Sequence, residues 1–191
     1  MNKTMLKCAI FGGFVVFLWG IISWMVLPWH QMMMNKFQDE KKVADVIQEN
    51  APKSGVYMIP NCVSSDIRVS KEEMAKSKIK TQEMMQKGPI VYAIVQKEGM
   101  GGGMAGQFVT GLIVNIIAAF FVTWLLTMTK AMAYMKQVYF VTGIGFTAGL
   151  MVFLPDWVWM GMTFASVIVH LFDLIIAWFL AGLVIAKFAK K

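Results

Sequence analysis

Cysteine is scarce in this chain, and histidine equally so. Two of each occur in 191 residues, and none has the paired spacing of a zinc site. Cys8 opens an apolar run and Cys62 lies in a polar segment. The topology derived below puts them on opposite sides of a membrane. An intrachain disulfide is therefore not expected, and Cys62 reads as an unpaired thiol. Carboxylates are few as well: eleven against eighteen Lys and Arg, giving a formal charge of +7 and a pI near 9.4. A basic chain suits nucleic acid when its cations join a recognisable aromatic-basic motif, and none is legible, so no nucleic-acid partner is expected. No serine or cysteine has a matched histidine outside the apolar runs except near His30. Asp39, Glu40, Asp45 and Glu49 share a lysine-containing stretch and read as a solvated face. An enzyme is not expected, and no cofactor is called for. Five glycines fall within residues 99–106, but the Lys-Ser/Thr of a phosphate loop is missing, so this is a flexible linker.

What is abundant is apolar. Hydrophobic residues make up 58% of the chain and the mean hydropathy is +0.60, above the 45–50% typical of soluble domains. Four runs are long enough to span a bilayer. The first is an uncleaved span within residues 1–27. It is longer than a signal h-region, lacks a small-residue cleavage site, and ends at Pro28 between Trp24 and Trp29. The others are residues 107–128, 138–154 and 162–186. They are joined by a basic loop at 129–137 and a tight turn at 155–161, and followed by a basic tail at 187–191. The fold class is thus an all-α integral membrane protein of four transmembrane helices, with a small α+β insertion between the first and second.

That insertion covers residues 28–106. The pattern predicts a helix over 36–50, stopped by Ala51-Pro52, and another over 71–87, with Ser70 and Glu73 as a capping box and Gly88-Pro89 as its end. Strand patterns at 56–59 and 90–95 are β-branched, aromatic and bounded by breakers, so they are expected to pair. The short flanks of the spans settle an expected orientation. Lys3, Lys7, Lys130, Lys136, Lys187, Lys190 and Lys191 lie on one side with no carboxylate, whereas the opposite turn carries Asp156. Both ends are expected in the cytoplasm and the insertion outside it, in a plasma or bacterial inner membrane.

Chemistry inside the spans centres on the fourth. Ser166, His170, Asp173, Ala177 and Ala181 recur at intervals of four, three, four and four, which places them on one helix face. A carboxylate at that depth needs a partner. Asn115 and Thr123 on the second span and Thr142 on the third are candidates for one interhelical polar network with them. Gly111, Gly145 and Gly149, with Ala177 and Ala181, form the expected packing stripes. The assembly they suggest packs the second, third and fourth spans together, with the first laid against them. The network reads first as a helix seam and second as a proton site, since histidine titrates near neutrality. A third candidate is a copper site on His30, Met32, Met33 and Met34, weak because three consecutive methionines do not share a helix face. The functional expectation is a non-catalytic accessory or scaffold subunit of a membrane complex. The bilayer is one partner, and a protein partner or second copy docks through residues 28–106 and the small-residue faces. The alternatives are a proton-coupled transporter or channel using His170 and Asp173, and a metal-handling protein.

Overall fold

Apolar runs of 24 to 27 residues have one stable form in hydrocarbon, the helix, because it satisfies every backbone group internally. A computed structural model describes residues 3–61, 70–99, 101 and 103–189. In chain order the elements are α1 (Lys3–Ile21), a π-helical turn (Ile22–Val26), α2 (Trp29–Met32), α3 (Glu40–Asn50), β1 (Gly55–Ile59), α4 (Lys71–Lys87), β2 (Val91–Val95), α5 (Met104–Thr127), α6 (Tyr134–Met160) and α7 (Phe164–Phe188). Among the described residues, four helices are long and apolar enough to cross a membrane: Lys3–Val26, α5, α6 and α7. Large apolar side chains on their outer faces, such as Phe14, Ile117, Met151 and Phe172, are exposed, as a bilayer solvent requires.

The chain forms two units, residues Lys36–Gly101 and the remainder. The insertion therefore begins later than the polar composition suggests, because residues 28–35 belong with the long helices. In the smaller unit, Asp39 caps α3 by accepting the Lys42 N–H at 2.9 Å. The strands pair antiparallel with Gly55 opposite Val95 and Ile59 opposite Val91. Ser54 locks the open end: its hydroxyl accepts the Lys97 N–H at 2.9 Å and donates to the Glu98 carboxylate. That hydroxyl and the backbone hold the Glu98 carboxyl below its usual range. The helix of the second capping signal is present as α4. The side chain of Glu73, half of the expected capping box, lies outside the described residues, as do Cys62, Met100, Gly102, Lys190 and Lys191.

Among the long helices, α1 is central. It packs against both α5 and α7, while α6 packs mainly on α7. This corrects the expected assembly, in which the first span lay outside the other three. The reason is a pair of adjacent glycines. Gly12 faces α7 and Gly13 faces α5, about 100° apart on the helix. A Cβ at Gly12 would lie 2.8 Å from the Ile185 side chain, and one at Gly13 would lie 2.5 Å from the Ile116 Cα. Two neighbouring positions without side chains thus let one helix approach two others. Cys8 adds a thiol bond to the Ile185 carbonyl at 3.7 Å. Between α6 and α7, Gly145 sits under the Trp178 ring, Gly149 under Leu171 and Leu174, and Gly182 against the Val138 backbone. Ala177 and Ala181 of α7 are buried, at steps of four between Asp173 and Ile185, and Gly111 faces Phe17.

The third span also differs from expectation at its end. Helix α6 continues through Pro155 to Met160, so residues 155–160 are helical and not a turn. A proline inside a helix removes one backbone hydrogen bond and crowds the carbonyl four residues back, a cost that the helix bears here without ending. The stop comes instead from Gly161, which adopts a left-handed conformation (φ 77°). Its N–H and that of Met162 both return to the Asp156 carbonyl. The connection to α7 is then residues 161–163.

The Gly13 contact yields a paired prediction. Gly13→Ala drives a methyl group into backbone and should cost about 1–3 kcal/mol. Gly20→Ala, whose Cβ meets nothing within 4 Å, should be neutral or slightly stabilising. Reversible unfolding in mixed detergent micelles measures both, and equal effects would contradict the packing described.

Candidate functional site

The polar centre of the helical unit is built by a chain reversal. The π-helical turn places Ser23 inward, fully buried. Leu27 then takes an extended conformation, as a residue before proline prefers. Pro28 starts α2, closed by the Met32 N–H on the Pro28 carbonyl at 2.9 Å. The reversal carries His30 back against the long helices, where it is only 2% exposed.

There His30 meets Asp173. The carboxylate takes the Trp19 indole N–H on Oδ1 at 2.6 Å and faces His30 Nε2 with Oδ2 at 3.5 Å. Ser23 Oγ lies 2.9 Å from the same His30 nitrogen and accepts the Trp29 indole N–H at 2.9 Å. A carboxylate only accepts, so its approach favours the tautomer with the proton on Nε2. Among the described residues, the Nδ1 lone pair of His30 is then buried without a hydrogen-bond partner. Aromatic rings enclose the imidazole. Trp24 stacks on it at 4.0 Å and 5°, Trp29 meets it edge-on at 5.8 Å, and the His170 ring stands 5.2 Å away. His170 is itself covered by Phe153 at 4.6 Å and donates through Nδ1 to the Ser166 carbonyl at 2.6 Å. Ser166 also helps start α7, its N–H and hydroxyl both meeting Thr163 Oγ1.

Three elements thus converge on Asp173, namely α1, α2 and α7. Burial holds the His30 imidazole below its usual titration range; Asp173 opposes this, and the neighbouring His170 reinforces it. The folded state then binds the His30 proton less readily than the unfolded chain. The stability that neutral His30 contributes is present above its ordinary pKa of about 6.5 and is lost as pH falls through its lower folded value.

The residues singled out in the sequence divide into groups. His170, Asp173 and Ser166 lie at this centre, with His170 bonded back to its own helix and Asp173 to α1 and α2. Thr123 and Thr142 bond the carbonyls of Ala119 and Val138 in their own helices, at 2.7 and 2.9 Å. A hydroxyl reaches the carbonyl four residues back without help from another helix. Asn115 lines a different space, beside Phe17 and Trp24, and α1 stands between α5 and α7. Of the methionine group, Met32 and Met34 are 73% and 61% exposed while His30 faces inward. Among the described residues, no group of three or more His, Cys, Asp or Glu side chains is placed to hold a metal ion. Trp19, Ser23 and Trp24 were not legible as site residues. Their only signal is that Trp19 and Ser23 are four apart, on one face of the first span.

Compared with protein-family models, with curated proteins and with solved structures, the chain matches none.

The titration argument predicts that lowering the pH from 7.5 to 5 loosens the α2 segment, raising its hydrogen exchange and altering tryptophan emission. His30→Asn should flatten that pH dependence. An unchanged profile in the variant would separate His30 from the transition.

Proposed function

We propose that the chain is a non-catalytic accessory or scaffold subunit of a membrane complex, with the long helices as platform and residues Lys36–Gly101 as docking module. The observation that carries this reading is the use made of the buried polar groups. Both carboxylate oxygens of Asp173, the Ser23 hydroxyl and the indole N–H groups of Trp19 and Trp29 are all engaged within the chain. Such a centre fixes helix positions, which a platform requires. The docking surface fits one face of the two-stranded sheet. Val56 lies opposite Ile94, and Met58 opposite Tyr92 on the same face. Val56 and Ile94 are exposed, and a two-stranded sheet has two open edges. A partner strand or apolar surface would cover them.

The lysine distribution supports both ends in the cytoplasm and the docking module on the other side. The test is purification in gentle detergent with cross-linking and mass spectrometry. A stoichiometric partner that Ile94→Asp releases, with the melting of the long helices unchanged, is the expected result. A chain that purifies alone at native abundance, or a partner indifferent to Ile94→Asp, would refute it.

A second reading, a proton-coupled transporter, is favoured by one observation: among the described residues, His30 Nδ1 is buried without a partner and a second imidazole stands 5.2 Å away. Asp173→Asn separates the readings in proteoliposomes under an acid pulse. On the scaffold reading wild type and variant give the same background flux. Asp173-dependent acidification would establish transport instead.

A further inference from the structure

A second polar group inside the long helices has no part in the Asp173 centre. Asn115 stands eleven residues after Met104 and twelve before Thr127 in α5. That puts its amide about 17 Å from either helix end, in the middle of the hydrocarbon. Among the described residues it has no hydrogen bond from its side chain, and it borders an open wedge between α1 and α5. The helices touch closely at Gly13 and Ile116. On the Val26 side of that crossing they leave a space of about 240 Å³, lined by Phe17, Gly20, Trp24, Met25, Phe108 and Asn115. Gly20 borders it, and a Cβ there would meet nothing within 4 Å.

We propose that this wedge binds a lipid-soluble planar ring compound bearing a carbonyl, of the quinone class. The chemistry of the lining selects that occupant. An amide in hydrocarbon needs a hydrogen-bonding partner, because lipid tails offer none and interfacial water lies far away. A ring carbonyl accepts its N–H at the required depth. Phe17 and Phe108, edge to face at 6.2 Å, present aromatic surface to a flat ring, and Met25 and Trp24 flank it. The space is at the small end of ligand pockets and suits one or two fused rings. A partner helix about 10 Å across does not enter it. One indole serves both sites: Trp24 lines the wedge and also stacks on His30. The proposal is independent of the accessory-subunit reading, and a free or complexed chain binds equally.

The test uses the full chain in nanodiscs, titrated with menadione and, in parallel, with naphthalene, which has similar shape and no carbonyl. Saturable binding of one menadione per chain is expected, with naphthalene about tenfold weaker, the range of one amide–carbonyl hydrogen bond. Asn115→Leu should erase that preference while leaving thermal melting near wild type. Gly20→Phe should fill the wedge and abolish binding of both ligands. Non-saturable partitioning, equal affinity for the two probes in the wild type, or a preference that survives Asn115→Leu would overturn the proposal. So would a disulfide forming between two copies of an Asn115→Cys variant, because the wedge would then be an interface.

Discussion

The carboxylate of Asp173 is the constraint on which the helical unit depends. A negative group within a span of apolar side chains is tolerated only where donors meet it. Here one donor comes from the same membrane depth on α1, and the other arrives from outside the spans on α2. The reversal at Leu27-Pro28 exists to deliver His30, and the π-helical turn before it orients Ser23 to hold the imidazole. Helix α7 therefore sets the position of α1 and of the segment that follows it. Breaking one partner of such a buried pair leaves the other desolvated and alone, which is more damaging than the pair's own net worth.

Around that centre, packing is decided by where side chains are missing. Gly12 and Gly13 allow α1 to lie between α5 and α7, and Gly145 and Gly149 allow α6 to close on Trp178 and the leucines of α7. The same central position of α1 separates Asn115 from Asp173. It leaves the wedge beside Gly20 as a distinct environment that shares only Trp24 with the polar centre. The smaller unit follows different rules. Among the described residues its sheet has two strands and its helices carry thin apolar stripes, so little of its surface is removed from water.

Much of this was legible in the sequence, for identifiable reasons. The four spans follow from run length, and α4 from its Gly88-Pro89 stop. The two strands follow from β-branched runs between breakers, each starting or ending within a residue of expectation. The polar stripe of α7 follows from spacing alone. What could not be read depended on partners remote in sequence. Position alone puts His30 at the interface because it follows the span, and nothing local says that the chain turns back. Trp19 carries no signal of its role in the sequence, since an indole N–H announces no acceptor. Gly12 carries no signal of its own, because a small-residue stripe describes one neighbour and α1 has two. The turn expected to start at Pro155 starts later, because the terminating conformation belongs to Gly161.

The account rests on direct coupling between α1 and α7 through one hydrogen bond. A double-mutant cycle on Trp19→Phe and Asp173→Asn, read from unfolding free energies in micelles, measures that coupling with ring volume and helix propensity largely preserved. A coupling of about 1.5–3 kcal/mol is predicted, as for a hydrogen bond to a charged group. Additivity within about 0.5 kcal/mol would mean that the two residues do not hold each other, and would contradict the account.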